Sequence, residues 1–196
     1  MPINEMMKIR KIGDKKAIQR LFFVLNCALL LRKKVIGSIL TIKKDEINNI
    51  KEFLEGTGIS LLYLYSRNEK IVLYLYRREE LEIYLNTPGI KEFLYKFGYV
   101  TDNIENILNE LVLRFIQYES KENEFPHEIG VFFGYPLEDV KSYIENNGEN
   151  ALYVGYWKVY HNVEKCVDIF KTYDEEKTNA VNELINGKSI TQIMCA

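Results

Sequence analysis

The chain has 196 residues, of which 47% are hydrophobic, and carries a formal net charge of −2. That length and apolar fraction are typical of one folded domain, so we expect a single domain over residues 1–196. Cys27, Cys166 and Cys195 are far apart and form no CxxC pair, which argues against a disulfide framework or a zinc knuckle and favours a cytoplasmic protein.

Positive charge is concentrated at the beginning of the chain. Residues 1–44 carry 11 Lys/Arg against Glu5 and Asp14, a net charge of +9, whereas the remaining 152 residues carry −11. Residues 1–13 are predicted to form a loose basic arm. A basic arm can bind nucleic acid or an acidic surface, or it can pack on the acidic part of its own chain. We favour the second because aromatic interleaving and a recognised nucleic-acid motif are both missing.

The first predicted helix covers residues 15–33 and contains the apolar run from Leu21 to Leu31. This run is shorter than the roughly 20 residues that a bilayer span requires. Basic residues follow it where a signal peptide would have a cleavage site. The pattern therefore favours a buried central helix, and no contact with a membrane is expected.

Strands are predicted at residues 35–42, 59–65 and 71–76. The second and third are near-copies, ISLLYLY and IVLYLY, joined by a short polar segment, which favours an antiparallel hairpin. Because both are apolar on both faces, we expect the hairpin to be central and covered. With the predicted helices, the fold class is α+β: a small, mainly antiparallel sheet of about four strands packed with helices.

Residues 125–160 form the most distinctive unit of the chain and contain its one tryptophan. The pattern predicts a helix ending at Gly134, a second helix beginning at Pro136, and a strand over residues 153–160. The segments FPHEIG, GYP, EDV and GYWKVY in this unit together resemble the clostridial domain-of-unknown-function family 3793. That resemblance implies almost nothing about activity.

His127 and Glu128 are the candidate catalytic residues. A histidine beside an acid at the beginning of a helix can transfer protons, which supports an enzyme using His127 as a general acid or base. Adjacent helical residues point about 100° apart, however, so the two cannot easily act on one atom. The alternative is that His127 bonds locally and Glu128 interacts with the helix dipole.

Aromatic side chains in the same unit suggest a ligand site. The candidate ligand-binding residues are Tyr135, Tyr156, Trp157, Lys158 and Tyr160. Together they can line a pocket for a flat molecule, with Lys158 or His127 supplying the polar contact. They can equally fill the core and direct their hydroxyls to the surface.

Other function classes have less support in the sequence. Motifs for nucleotide binding or nucleophilic hydrolysis do not occur, no metal ligands share a recognised spacing, and no cofactor is indicated. The two helices around Gly134 resemble a helix-turn-helix, but the second carries Glu138, Asp139 and Glu145 against Lys141 alone, which disfavours DNA. The sequence therefore favours binding of a small ligand or protein partner, with an enzyme as the alternative and a DNA-binding regulator as a less favoured third reading.

Overall fold

The computed structural model describes residues 14–194, so the predicted basic arm at residues 1–13 lies outside the described part. Helices and strands alternate irregularly, as expected for an α+β chain. The helices are α1 (Lys15–Leu31), α2 (Ile47–Leu54), α3 (Arg78–Leu85), α4 (Pro88–Lys96), α5 (Ile104–Glu119), α6 (Ile129–Phe132), α7 (Leu137–Glu145), α8 (Val163–Ile185) and α9 (Ile190–Met194). The strands are β1 (Gly37–Lys43), β2 (Ser60–Arg67), β3 (Lys70–Tyr76), β4 (Tyr153–Val154) and β5 (Lys158–Val159).

The main sheet has three antiparallel strands in the order β1-β3-β2, and the predicted hairpin of β2 with β3 is confirmed. Only β3 is central. The expectation that both hairpin strands are covered is wrong for β2, which is an edge strand with Tyr63 47% exposed. A register shift between Tyr63 and Tyr65 interrupts this edge. Bulges of this kind protect sheet edges from pairing with other chains.

Strand β3 separates two hydrophobic cores because its side chains alternate between the faces of the sheet. Ile71, Leu73 and Leu75 pack with α1, α2, α8 and α9. Val72, Tyr74 and Tyr76 pack with the helices from α3 to α7. The sheet is thus the middle layer between two layers of helices.

Helix α1 lies in the first of these cores, as its apolar run predicts. Phe23, Val24 and Leu30 are fully buried there. Within residues 14–194, no helix combines the length and the apolarity that a membrane crossing requires.

The basic residues at the beginning of the described chain pair with acids that come later. Lys16 contacts Glu52, and Arg32 from the end of α1 lies 2.9 Å from Glu183 of α8. Lys34 lies 2.8 Å from Glu176, also of α8. Charge pairing therefore supports the packing of α1 against α8.

Residues 125–160 fold as two short helices followed by a hairpin, so the predicted single strand over residues 153–160 is wrong. Strands β4 and β5 pair antiparallel, and the Gly155 N–H donates to the Trp157 carbonyl to close the turn. A Cβ at Gly155 would clash with the ring of Phe170 in α8. The chain can therefore turn tightly over α8 only because residue 155 is a glycine.

Candidate functional site

A cavity of about 340 Å³ lies where α6, α7 and the β4–β5 hairpin meet. We call it the aromatic cavity. Its ring-bearing lining residues come from all three elements and their flanks. They are Phe125, His127, Phe133, Tyr135, Tyr143, Tyr156 and Trp157.

The hairpin turn contributes five consecutive lining residues, from Val154 to Lys158. A straight strand would present only every second side chain to one face. The turn instead folds Tyr156, Trp157 and Lys158 around the same space. The single strand predicted over residues 153–160 would instead have placed Tyr156 and Trp157 on opposite faces.

Trp157 forms a wall of the cavity and is 9% exposed. Its indole stacks on Tyr135 with ring centres 5.0 Å apart and meets Phe170 edge-on at 4.5 Å. Its Nε1 donates a 2.8 Å hydrogen bond to Oδ2 of Asp139 in α7. These contacts fix the indole plane, which leaves a rigid aromatic surface facing the cavity.

Asp139 joins α7 to the hairpin and is 2% exposed. Besides the indole, its Oδ1 accepts hydrogen bonds from the backbone N–H groups of Tyr160 at 2.9 Å and His161 at 3.0 Å. A buried carboxylate requires such donors, because an uncompensated charge is costly away from water. Asp139 is thus a structural acceptor at the inner wall of the cavity.

His127 is exposed and lies at the mouth of the cavity between two rings. Its ring centre is 5.2 Å from that of Phe125 and 4.9 Å from that of Tyr143. Its imidazole makes no hydrogen bond to any residue between 14 and 194. Both ring nitrogens therefore remain available to a bound molecule or to water.

Lys158 is the cationic side chain of the cavity. Its Nζ donates a 2.6 Å hydrogen bond to the Gly148 carbonyl and lies 5.7 Å from the centre of the Tyr143 ring. An ammonium group has three donors, so two are left over. No carboxylate of the described chain lies within salt-bridge distance of it.

Glu128 does not accompany His127 into the cavity. Its carboxylate, 3% exposed, accepts a hydrogen bond from the Tyr99 hydroxyl at 3.0 Å and lies 3.4 Å from Nη1 of Arg114. The two neighbouring residues therefore point to opposite environments, one buried and one open. The structure does not bring them together as an acid–base pair.

Tyr160 is the other sequence candidate that lies outside the cavity lining. Its backbone N–H is used by Asp139, and the chain turns away after β5 towards α8. Tyr135, Tyr156, Trp157 and Lys158 all line the cavity with His127. The sequence did not single out Asp139, Phe125 or Phe133 as site residues, although all three belong to or adjoin the segments FPHEIG, GYP and EDV.

Burial raises the pKa values of two tyrosine hydroxyls that line the cavity. Desolvation, with a smaller effect of Tyr173, raises the pKa of Tyr135 to about 12. Burial also raises the pKa of Tyr156, and its hydroxyl donates a 2.7 Å hydrogen bond to Oδ1 of Asp174 in α8. Both hydroxyls are therefore neutral at physiological pH and act as donors or acceptors without charge.

A known protein family matches most of the chain, including the aromatic cavity. The model of a family described as "Protein of unknown function (DUF3793)" matches residues 23–194, which include the whole aromatic cavity. The chain belongs to this family. Among curated proteins and among solved structures, none matches the chain.

In this DUF3793 protein, the described residues show no group of three or more His, Cys, Asp or Glu side chains that could hold a metal ion. Cys27 and Cys166 are free and buried, and Cys195 lies outside the described residues. Burial raises the pKa of both thiols, with Asp139 adding to the effect at Cys166. Raised pKa values keep these thiols protonated and poorly reactive.

Proposed function

We propose that the protein binds a small, flat, largely apolar molecule carrying an anionic group in the aromatic cavity. The observation that carries the proposal is the lining itself. Rigid aromatic rings surround a space of about 340 Å³, and Lys158 is a cation without a carboxylate partner in the described chain. Small-molecule sites have volumes from about 300 Å³ and few polar groups among apolar walls.

The rings supply area for stacking. Tyr135, Phe170 and Asp139 already hold the Trp157 ring in place. The ring therefore loses little conformational freedom when a ligand binds. Preorganised rings favour affinity because less conformational entropy is lost on binding. Offset stacking between aromatic rings contributes about 0.5–1.5 kcal/mol beyond burial of area.

The polar groups favour an anion or an acceptor on the ligand. Lys158 retains two donors, and the imidazole of His127 has no hydrogen-bond partner among residues 14–194. Asp139 also lines the cavity, but its oxygens face the Trp157 indole and the two backbone N–H groups. These three donors offset its charge, so Lys158 determines the sign of the charge that the site prefers.

A catalytic role for His127 has less support from the geometry. A general base is commonly oriented by a second group on its other nitrogen. The neighbouring Glu128 is engaged by Tyr99 and Arg114, and no described side chain bonds to the imidazole. A DNA-reading role also has less support, because Asp139 and Val140 of α7 face the interior.

Binding of the dye anilinonaphthalene sulfonate (ANS), which has flat apolar rings and one sulfonate, tests the proposal by isothermal titration calorimetry. We expect one site per chain, weakened about tenfold by Lys158→Met, which corresponds to about 1.4 kcal/mol. Lys141→Met is the matched control, since Lys141 is exposed on α7 and does not line the cavity. Equal affinities for the folded Lys158→Met variant and the control would overturn the proposal.

A further inference from the structure

A second cavity of about 320 Å³ adjoins the aromatic cavity. We call it the edge cavity because the first residues of the edge strand β1 line it. The side chains of Phe133, Tyr135 and Tyr156 line both cavities. These three rings are therefore the shared wall between two spaces, and the other walls of the edge cavity come from α1, β1 and α8.

The outer edge of β1 presents to the edge cavity backbone N–H groups that have no hydrogen-bond partner among residues 14–194. The Arg77 N–H donates to the Ile36 carbonyl, and the Lys44 N–H donates to the Glu69 carbonyl, so residues 36 and 44 face β3. Hydrogen-bonded and non-bonded pairs alternate along an antiparallel ladder. The N–H and C=O groups of Gly37 and Ile39, which line the cavity, therefore point away from the sheet.

Lys177 of α8 is the cation of the edge cavity. Its Nζ lies 5.3 Å from the centre of the Tyr156 ring, one of the rings in the shared wall. No carboxylate of residues 14–194 lies within salt-bridge distance of it, although the chain around it is rich in acids. Nearby Glu176 is already paired with Lys34, and Asp174 accepts from Tyr156.

Each cavity thus has one lysine without a carboxylate partner among residues 14–194, and both cavities border the shared aromatic wall. We infer that the ligand is elongated and carries two anionic groups. One end lies in the aromatic cavity near Lys158, and the other reaches the edge cavity, where Lys177 and the outward N–H groups of Gly37 and Ile39 bind its second anion. This inference rests on the proposed function and adds the length and the charge pattern of the ligand.

Comparing the affinities of the dimeric dye bis-ANS and of ANS for the same variants tests this inference. Bis-ANS has two fused-ring units and two sulfonates, whereas ANS has one of each, so the pair separates occupancy of one cavity from occupancy of both. We expect Lys177→Met to weaken bis-ANS about tenfold and to change ANS affinity less than about twofold. Lys177→Glu should weaken bis-ANS further, because it replaces attraction by repulsion. Lys158→Met should weaken both dyes.

Lys171→Met is the matched control on the same helix. Lys171 is exposed, pairs with Asp168 and lines neither cavity. Lys177 is half-buried and makes no side-chain hydrogen bond in the described chain, so its variants are expected to fold, which thermal unfolding checks. If Lys177→Met and Lys171→Met bind bis-ANS equally, the inference is overturned while the proposed function stands. If Lys158→Met changes neither dye, the proposed function itself fails.

Discussion

The indole Nε1 of Trp157 donates a 2.8 Å hydrogen bond to Oδ2 of Asp139, which lies 18 residues earlier in the chain. This bond joins the EDV and GYWKVY segments of the chain. The same carboxylate accepts the N–H groups of Tyr160 and His161. One buried side chain therefore holds α7, the hairpin and the segment leading into α8 in a fixed arrangement. The aromatic cavity lies between these elements and α6.

Replacing Asp139 by alanine is expected to destabilise the protein by more than about 2 kcal/mol, because the indole and two backbone donors lose their acceptor. Urea unfolding followed by circular dichroism measures the effect. Glu138→Ala is the control, since Glu138 is exposed on the same helix and should change stability by less than about 0.5 kcal/mol. Equal stability of the two variants would show that the Asp139 contacts do not hold the unit together.

Mutations of the adjacent residues His127 and Glu128 are expected to have different effects on stability and on ANS binding. His127→Ala should leave the free energy of unfolding within about 1 kcal/mol, as for an exposed residue, and weaken ANS binding. Glu128→Gln should cost more than about 1 kcal/mol, because it removes the charge that Arg114 and Tyr99 contact, and should leave ANS affinity unchanged. Paired unfolding and titration curves measure both. A large loss of stability in His127→Ala, with ANS still bound by the folded fraction, would contradict its assignment to the site.

Stability is expected to fall at high pH. The pKa of Tyr135 is raised by burial from its ordinary value of 10 to about 12, so the folded state binds its proton more tightly than the unfolded state. The resulting stabilisation is present below pH 10 and is lost as the pH rises towards 12. Tyr135→Phe should make the decline shallower by up to about 1.4 kcal/mol per pH unit. Tyr95→Phe is the control, as Tyr95 is 73% exposed; an identical change in both variants would refute the assignment.

Local patterns predicted much of the fold. The apolar run from Leu21 to Leu31 correctly indicated a buried helix, and the LYLY segments indicated a hairpin. Gly134, which has a positive φ, follows α6 as predicted. These features depend on residues that are close together in the chain, so they can be predicted from the local sequence.

The errors arose where distant residues decide the structure. The segment 153–160 has the composition of a strand, but Gly155 packs against Phe170 from α8 and the chain reverses there. Likewise, the sequence shows that β2 is apolar but not that it lies at an edge of the sheet. Four of the five candidate ligand-binding residues line the cavity and Tyr160 does not. The sequence also could not show that Glu128 would be bound by Arg114 and Tyr99.

Energy transfer from Trp157 to bound ANS tests the central claim most directly. Trp157 is the one tryptophan of the chain and a wall of the cavity, so its emission responds most strongly to a dye bound there. A dye in the cavity lies in contact with the indole, and we expect saturation with ANS to quench the tryptophan emission nearly completely and to produce dye emission on tryptophan excitation. Stoichiometric ANS binding that leaves the Trp157 emission unchanged would place the dye elsewhere and contradict the account.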